Sequence, residues 1–316
     1  MAEPLRATFY TFRRHSEHGG VLLGATLITA ALGIAILAAF VALCWPLFAS
    51  LFSISGASTS SDQVLGAVGA MFGAALIGFF FLVALYVLAA AYEAACLRWM
   101  IRREAPGWFG LNLGADTWRV YSGYWVWFLI QMAVSMVVSI VMMPLTFMAM
   151  IPAGDVAPEA QMASLLGMQF LVAVVQYAVL IFIGVRFAPA AATSIARRRF
   201  SFFEAWKVTR GRFWALFGSF FILMIAYLIV LAIFMTAVFA TIYNATGGLG
   251  GAGAPDPSAI FQPNVLASFG GLYVLLVGTG VLYVVLSFGV NARAVIAAID
   301  EGKIDGQTPN VAEVFT

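Results

Sequence analysis

The stretch Gly20–Phe52, GVLLGATLITAALGIAILAAFVALCWPLFASLF, runs for over thirty residues without one charged side chain. A buried helix of a soluble domain rarely needs that length. About 20 mostly apolar residues already span the hydrocarbon core of a bilayer, which is about 30 Å thick. The stretch is also far longer than the apolar core of a cleavable signal peptide, about 7–15 residues. It is therefore expected to stay in the chain as a first membrane helix and to direct insertion.

Five further blocks of the same kind follow. The six segments are placed at 20–52, 64–97, 121–151, 163–190, 213–243 and 265–296. Most approach or exceed 30 residues, so tilt, kinks or projection past the headgroups must absorb the surplus. Pro46 and Pro144 mark expected kinks in the first and third. Composition agrees: 63% of residues are hydrophobic and 9% charged, with a mean hydropathy of +0.99. A soluble chain of this length could not cover its surface with so few charges. The fold class expected is all-α, a polytopic six-helix membrane protein. Its single membrane domain divides into an N-terminal segment 1–19, a bundle 20–296 and a tail 297–316.

The basic residues give the orientation. The connections 53–63, 152–162 and 244–264 carry no Lys or Arg among the chain's sixteen. Arg6, Arg13 and Arg14 precede the first segment, and Arg98, Arg102, Arg103 and Arg119 follow the second. Arg197, Arg198, Arg199, Lys207, Arg210 and Arg212 follow the fourth, and Lys303 the sixth. The positive-inside rule then places both termini in the cytoplasm. Fourteen Arg against two Lys, with abundant Ala and Gly, point to a GC-rich bacterial genome and so to a bacterial inner membrane. The bare connections are short or, with Gly247, Gly248, Gly250, Gly251, Gly253, Pro255 and Pro257, pliable. A protein partner would meet the inner face.

Two basic-side connections match at an offset of 88 residues. Asp116-Thr117-Trp118-Arg119-Val120, then Gly123, parallels Glu204-Ala205-Trp206-Lys207-Val208, then Gly211. Glu313-Val314-Phe315 is a weaker echo. This predicts three two-helix units in parallel repetition, since an even number of helices per unit preserves orientation. Trp118, Tyr121 and Trp125, and again Phe202, Trp206 and Phe213, recur at helical spacing. With Arg119, Lys207 and Arg210 beside them, these connectors are expected to lie along the inner interface and to anchor helix ends, lipid headgroups or a partner.

Ionisable groups inside a bundle are functional candidates by default. Glu93, Arg186 and Arg293, the last beside Asn291, stand at similar depth near the ends of the second, fourth and sixth segments. Gln131 and Gln176 add polar atoms. Glu93 is expected to pair with Arg186 or Arg293. The layer is then either a packing device or a polar, cytoplasm-facing cavity for an anionic ligand or headgroup. His15 and His18, flanking Glu17, lack further ligands nearby and read as solvated. Cys44 and Cys96 fall near opposite faces, too far apart for a disulfide. Metal, cofactor and catalytic motifs are not found: there is no H-E-x-x-H, G-x-S-x-G or G-x-x-x-x-G-K. Small residues four apart, such as Gly66–Ala70 and Gly69–Gly73, serve helix packing.

The stretch 186–222, with Pro189, Phe203-Glu204-Ala205-Trp206 and Arg210-Gly211-Arg212-Phe213-Trp214, resembles bacterial inner-membrane proteins related to the membrane domain fused to some glycerophosphodiester phosphodiesterases. The likeness covers about a tenth of the chain with specificity. It carries over no catalytic residue and implies a membrane module, an anchor or envelope accessory factor. The expected function is non-enzymatic: a scaffold or accessory subunit whose partners are membrane lipids and a membrane protein, not nucleic acid. The alternative is a small transporter or lipid-handling protein using the Glu93 layer.

Overall fold

The computed structural model describes residues 9–17, 20–52, 61–150, 158–245 and 262–306. Its helices are α1 (Tyr10–Glu17), α2 (Gly20–Phe52), α3 (Ser61–Arg102), α4 (Ala115–Met150), α5 (Pro158–Phe187), α6 (Ala190–Ala196), a 3-10 turn Phe202–Glu204, α7 (Ala205–Thr209), α8 (Phe213–Ala245) and α9 (Pro263–Asp300). No strand occurs among the described residues. Six helical spans, with α5 and α6 forming one, are long and apolar enough to cross a membrane. The protein is an all-α, multi-pass membrane protein.

The first and fifth segments lie where the sequence puts them. The other four start or end differently, the sixth by only a few residues at Pro263–Asp300. The third helix begins at Ala115, six residues before the expected Tyr121, so the first connector is the opening of α4 itself and not a separate interfacial helix. The fourth breaks at Ala188-Pro189 instead of running to Ala190, because Pro189 lacks a donor and disfavours helix at the residue before it. α3 runs on to Arg102. His15 falls within α1. His18, Glu313-Val314-Phe315 and most of the bare connections lie outside the described residues.

Consecutive helices pair as α2–α3, α4–α5 and α8–α9, and α3 also packs on α4 and α9. The packed core collects at the basic end: Ala90–Met100 of α3, Val185 of α5, Ile195 of α6, Val285–Ala298 of α9, with Leu22, Val120 and Leu216 from the partner helices α2, α4 and α8. Away from that end, large side chains such as Phe72, Val141, Phe170 and Val274 are exposed, as lipid-facing residues should be. At about 1.5 Å per residue the helices exceed a hydrocarbon core. Near the basic end the exposed indoles Trp108, Trp118, Trp125, Trp206 and Trp214 make an aromatic belt of the kind that suits a membrane interface.

Two small devices close this end. The short α6, built from Ala, Thr and Ser around Ile195, is small enough to be buried against α3, α4 and α9. The loop 103–114 turns sharply at Gly107, where a Cβ would come within 2.5 Å of the Leu111 carbonyl oxygen, and lays the Phe109 ring against Gly24 of α2.

Candidate functional site

Beneath the aromatic belt, α3 presents Glu93 to α4. The side chain is buried at 7% exposure and its Oε2 accepts a hydrogen bond of 2.5 Å from the Tyr124 hydroxyl. A cavity of about 320 Å³ opens beside it, lined by Tyr124 and Trp127 of α4, Gly184 and Phe187 of α5, and Phe202 of the 3-10 turn. The cavity exists because Gly123 and Gly184 withhold side chains where α4 and α5 cross. A Cβ at Gly184 would touch the Trp127 indole at 3.5 Å. Phe187 and Phe202 stack with ring centroids 5.1 Å apart and form one wall.

The expected partners of Glu93 are elsewhere. Arg186 sits on the other side of α5, its guanidinium 4.9 Å from the Trp206 ring centroid and 5.1 Å from that of Phe213. Its Nη1 donates to the Thr209 carbonyl at 3.4 Å, and the Thr209 hydroxyl donates back to the Arg186 carbonyl at 3.3 Å. An arginine on aromatic faces with a carbonyl partner fastens α7 to α5 and α8. Arg293, half-buried on α9, makes no ion pair with Glu93, and the neighbouring Asn291 is buried with its Oδ1 unbonded among the described residues. So the Glu93/Arg186/Arg293 layer does not assemble as an ion pair, and no arginine lines the Glu93 cavity. The reason is helix rotation: residues at equal depth point to different neighbours.

A second constellation holds the charges. Asp116, 7% exposed at the start of α4, receives Arg102 Nη2 at 2.5 Å and Arg119 Nη1 at 2.6 Å, with Arg98 Nη1 at 3.7 Å. Arg98 also donates to the Gly110 carbonyl at 2.7 Å, fixing the loop 103–114. Glu104 bridges Arg102 at 3.1 Å and Arg198 at 2.6 Å. These groups border an opening of about 340 Å³ with four arginines and two carboxylates. The Nε atoms of Arg98 and Arg102 are buried and unbonded among the described residues. In the second connector, Glu204 binds Arg197 and Arg199, and beyond α9 Glu301 binds Arg212 and Lys303. Hydrogen bonds from Lys303 and then Arg212 hold the Glu301 carboxyl below the usual carboxylate range.

The connector residues are engaged mainly with neighbouring rings. Trp118, Tyr121, Trp125 and Phe128 form an edge-to-face ladder along α4, with centroids 5.6, 6.2 and 5.9 Å apart. Trp206 covers Arg186, while Lys207 and Arg210 face outward. Among the described residues no group of His, Cys, Asp and Glu is placed to hold a metal ion. The chain matches no family model, no curated protein and no solved structure.

Two features escaped the sequence reading. Tyr124 carries no signal in the sequence as a partner of Glu93, 31 residues away. Arg98 and Arg102 did carry one: four apart, they share a helix face, and two guanidiniums on one face call for a common acid. Deeper in the α4–α5 hairpin, the Gln176 amide donates to Ser135 Oγ at 2.9 Å, and Gln131 lines the same groove.

Proposed function

We propose that this chain is a non-enzymatic scaffold or accessory subunit of a bacterial inner membrane. Both termini are then cytoplasmic and its basic end holds acidic lipid headgroups. The carrying observation is the opening bordered by Arg98, Arg102, Arg119 and Arg198 against only Asp116 and Glu104. A phosphate there would gain charge-assisted hydrogen bonds from guanidiniums already positioned by the protein. The Trp belt beside it sets the depth at which headgroups lie. Positive charge confined to one end supports the inner placement, and the likeness of 186–222 to a membrane module supports an accessory role. Three paired hairpins support the reading of a threefold repeat.

The test is lipid retention. In nanodiscs of phosphatidylglycerol and phosphatidylcholine, the wild-type protein should enrich phosphatidylglycerol. Arg119→Gln with Arg198→Gln, both on the rim, should remove about 2 kcal/mol of that preference, roughly thirtyfold, at about 1 kcal/mol per arginine near an anionic surface. Equal retention of both lipids by the wild-type protein would sink the reading.

A second reading, a small transporter or lipid-handling protein, draws on the cavity beside Glu93. Flux of a labelled solute into proteoliposomes, lost with Glu93→Gln, would favour it over the scaffold.

A further inference from the structure

The cavity beside Glu93 has a chemistry of its own, distinct from the arginine-rimmed opening. One carboxylate oxygen, Oε2, is bonded to the Tyr124 hydroxyl, and Glu93 itself lines the cavity. Around it stand four aromatic rings, Tyr124, Trp127, Phe187 and Phe202. No Lys or Arg lines the space, and Arg186, expected from sequence to pair with Glu93, is engaged with the rings of Phe182, Trp206 and Phe213. An anion, the ligand expected from sequence, would meet a carboxyl group and aromatic rings with no cation among them. A cation would meet both favourably. Aromatic faces attract ammonium groups most where water is excluded, and burying a charge requires an opposite charge within reach.

We propose that this cavity is a binding site for an alkylammonium group, with Glu93 as counter-ion and Tyr124, Trp127, Phe187 and Phe202 as the cage. Its volume of about 320 Å³ takes a trimethyl- or primary alkylammonium with part of its chain. Gly123 and Gly184 leave the room, and the Tyr124 hydroxyl holds one oxygen of the Glu93 carboxyl that lines it. The same ammonium could arrive as a small solute or as a lipid headgroup. Binding alone is claimed, so the inference does not depend on the acidic-lipid reading.

The test uses choline and its neutral isostere 3,3-dimethylbutanol, titrated calorimetrically against the full chain in phosphatidylglycerol nanodiscs. Saturable choline binding is expected, with the isostere at least about tenfold weaker, the order of effect of a desolvated cation on aromatic rings. Glu93→Gln should lose that discrimination, and Trp127→Leu should weaken choline more than the isostere. Repeating the titration with phosphatidylethanolamine mixed into the disc separates the sources. Competition means that a headgroup fills the cage, and none means a soluble amine. Either supports the site. Absence of saturable choline binding, or equal binding of choline and the isostere by the wild-type protein, overturns it. That comparison needs no variant to fold.

Discussion

Neutralising Asp116 is the sharpest perturbation of the basic end. Asp116→Asn keeps the shape and one acceptor but leaves Arg98, Arg102 and Arg119 with no carboxylate at that position. Arg98 is the expensive one: its side chain is 3% exposed and Asp116 is its ion-pair partner at 3.7 Å. Removing one partner of a buried pair costs about 3–5 kcal/mol, because the remaining charge is uncompensated. The Glu104 carboxylate still reaches Arg102, so the lower end, about 3 kcal/mol, is expected. The motif supplies an internal comparison. Glu204 holds the equivalent place in the second connector, but its partner Arg199 is 60% exposed, a kind of pair worth about 0–1 kcal/mol, and its other partner, the largely buried Arg197, keeps the Asp305 carboxylate at 3.4 Å. Glu204→Gln should therefore cost about 1 kcal/mol at most. Unfolding both variants with SDS in mixed micelles, followed by tryptophan fluorescence, measures the difference of about 2 kcal/mol. Asp116→Glu should recover most of the loss. Equal destabilisation by Asp116→Asn and Glu204→Gln would refute the claim that burial, and not the motif, sets the energy.

Other consequences are simpler to state. A Cβ at Gly24 would lie 2.4 Å from Phe109 Cδ1, so Gly24→Val should displace the loop 103–114 and cost about 1–3 kcal/mol; adding Phe109→Ala should relieve part of it, read by the same unfolding assay. Arg186→Lys loses the planar stacking on Trp206 and Phe213 and should destabilise by about 1–2 kcal/mol, whereas a value near zero would mean that the aromatic faces contribute nothing. Glu301 has a folded pKa depressed by Lys303 and Arg212. Its contribution is thus present above the ordinary value of 4.5 and is lost as pH falls through the lower folded value. Glu301→Gln should flatten the stability profile in that acidic window and nowhere else, which acid titration of both proteins would show.

Helix ends were harder to read than helix existence. Asp116 to Val120 look like a polar connector, yet they open α4 because their polar atoms are satisfied locally. The Thr117 amide donates to the Gly114 carbonyl at 3.1 Å and its hydroxyl to the Asn112 carbonyl at 2.6 Å. The repeated motif also diverges where it looks most alike. α4 runs straight through Gly123, whereas Gly211 adopts φ +81 and separates α7 from α8. A glycine permits both outcomes, and its neighbours decide between them. The fourth segment, expected to run to Ala190, passes through Pro189, whereas the structure breaks there and buries the short helix beyond it among three others.

Sequence by itself determined the membrane class, the six crossings and the basic end. Those depend on transfer from water to lipid and on charge, which add up residue by residue along the chain. The tertiary structure alone decided which polar groups meet. Glu93, Arg186 and Arg293 have similar depth, but depth says nothing of rotation about the helix axis. Rotation, with the break at Pro189 and the gaps left by Gly123 and Gly184, turns Glu93 toward Tyr124 and a cavity, and Arg186 toward Trp206. It also brings Arg98, Arg102 and Arg119 onto one carboxylate.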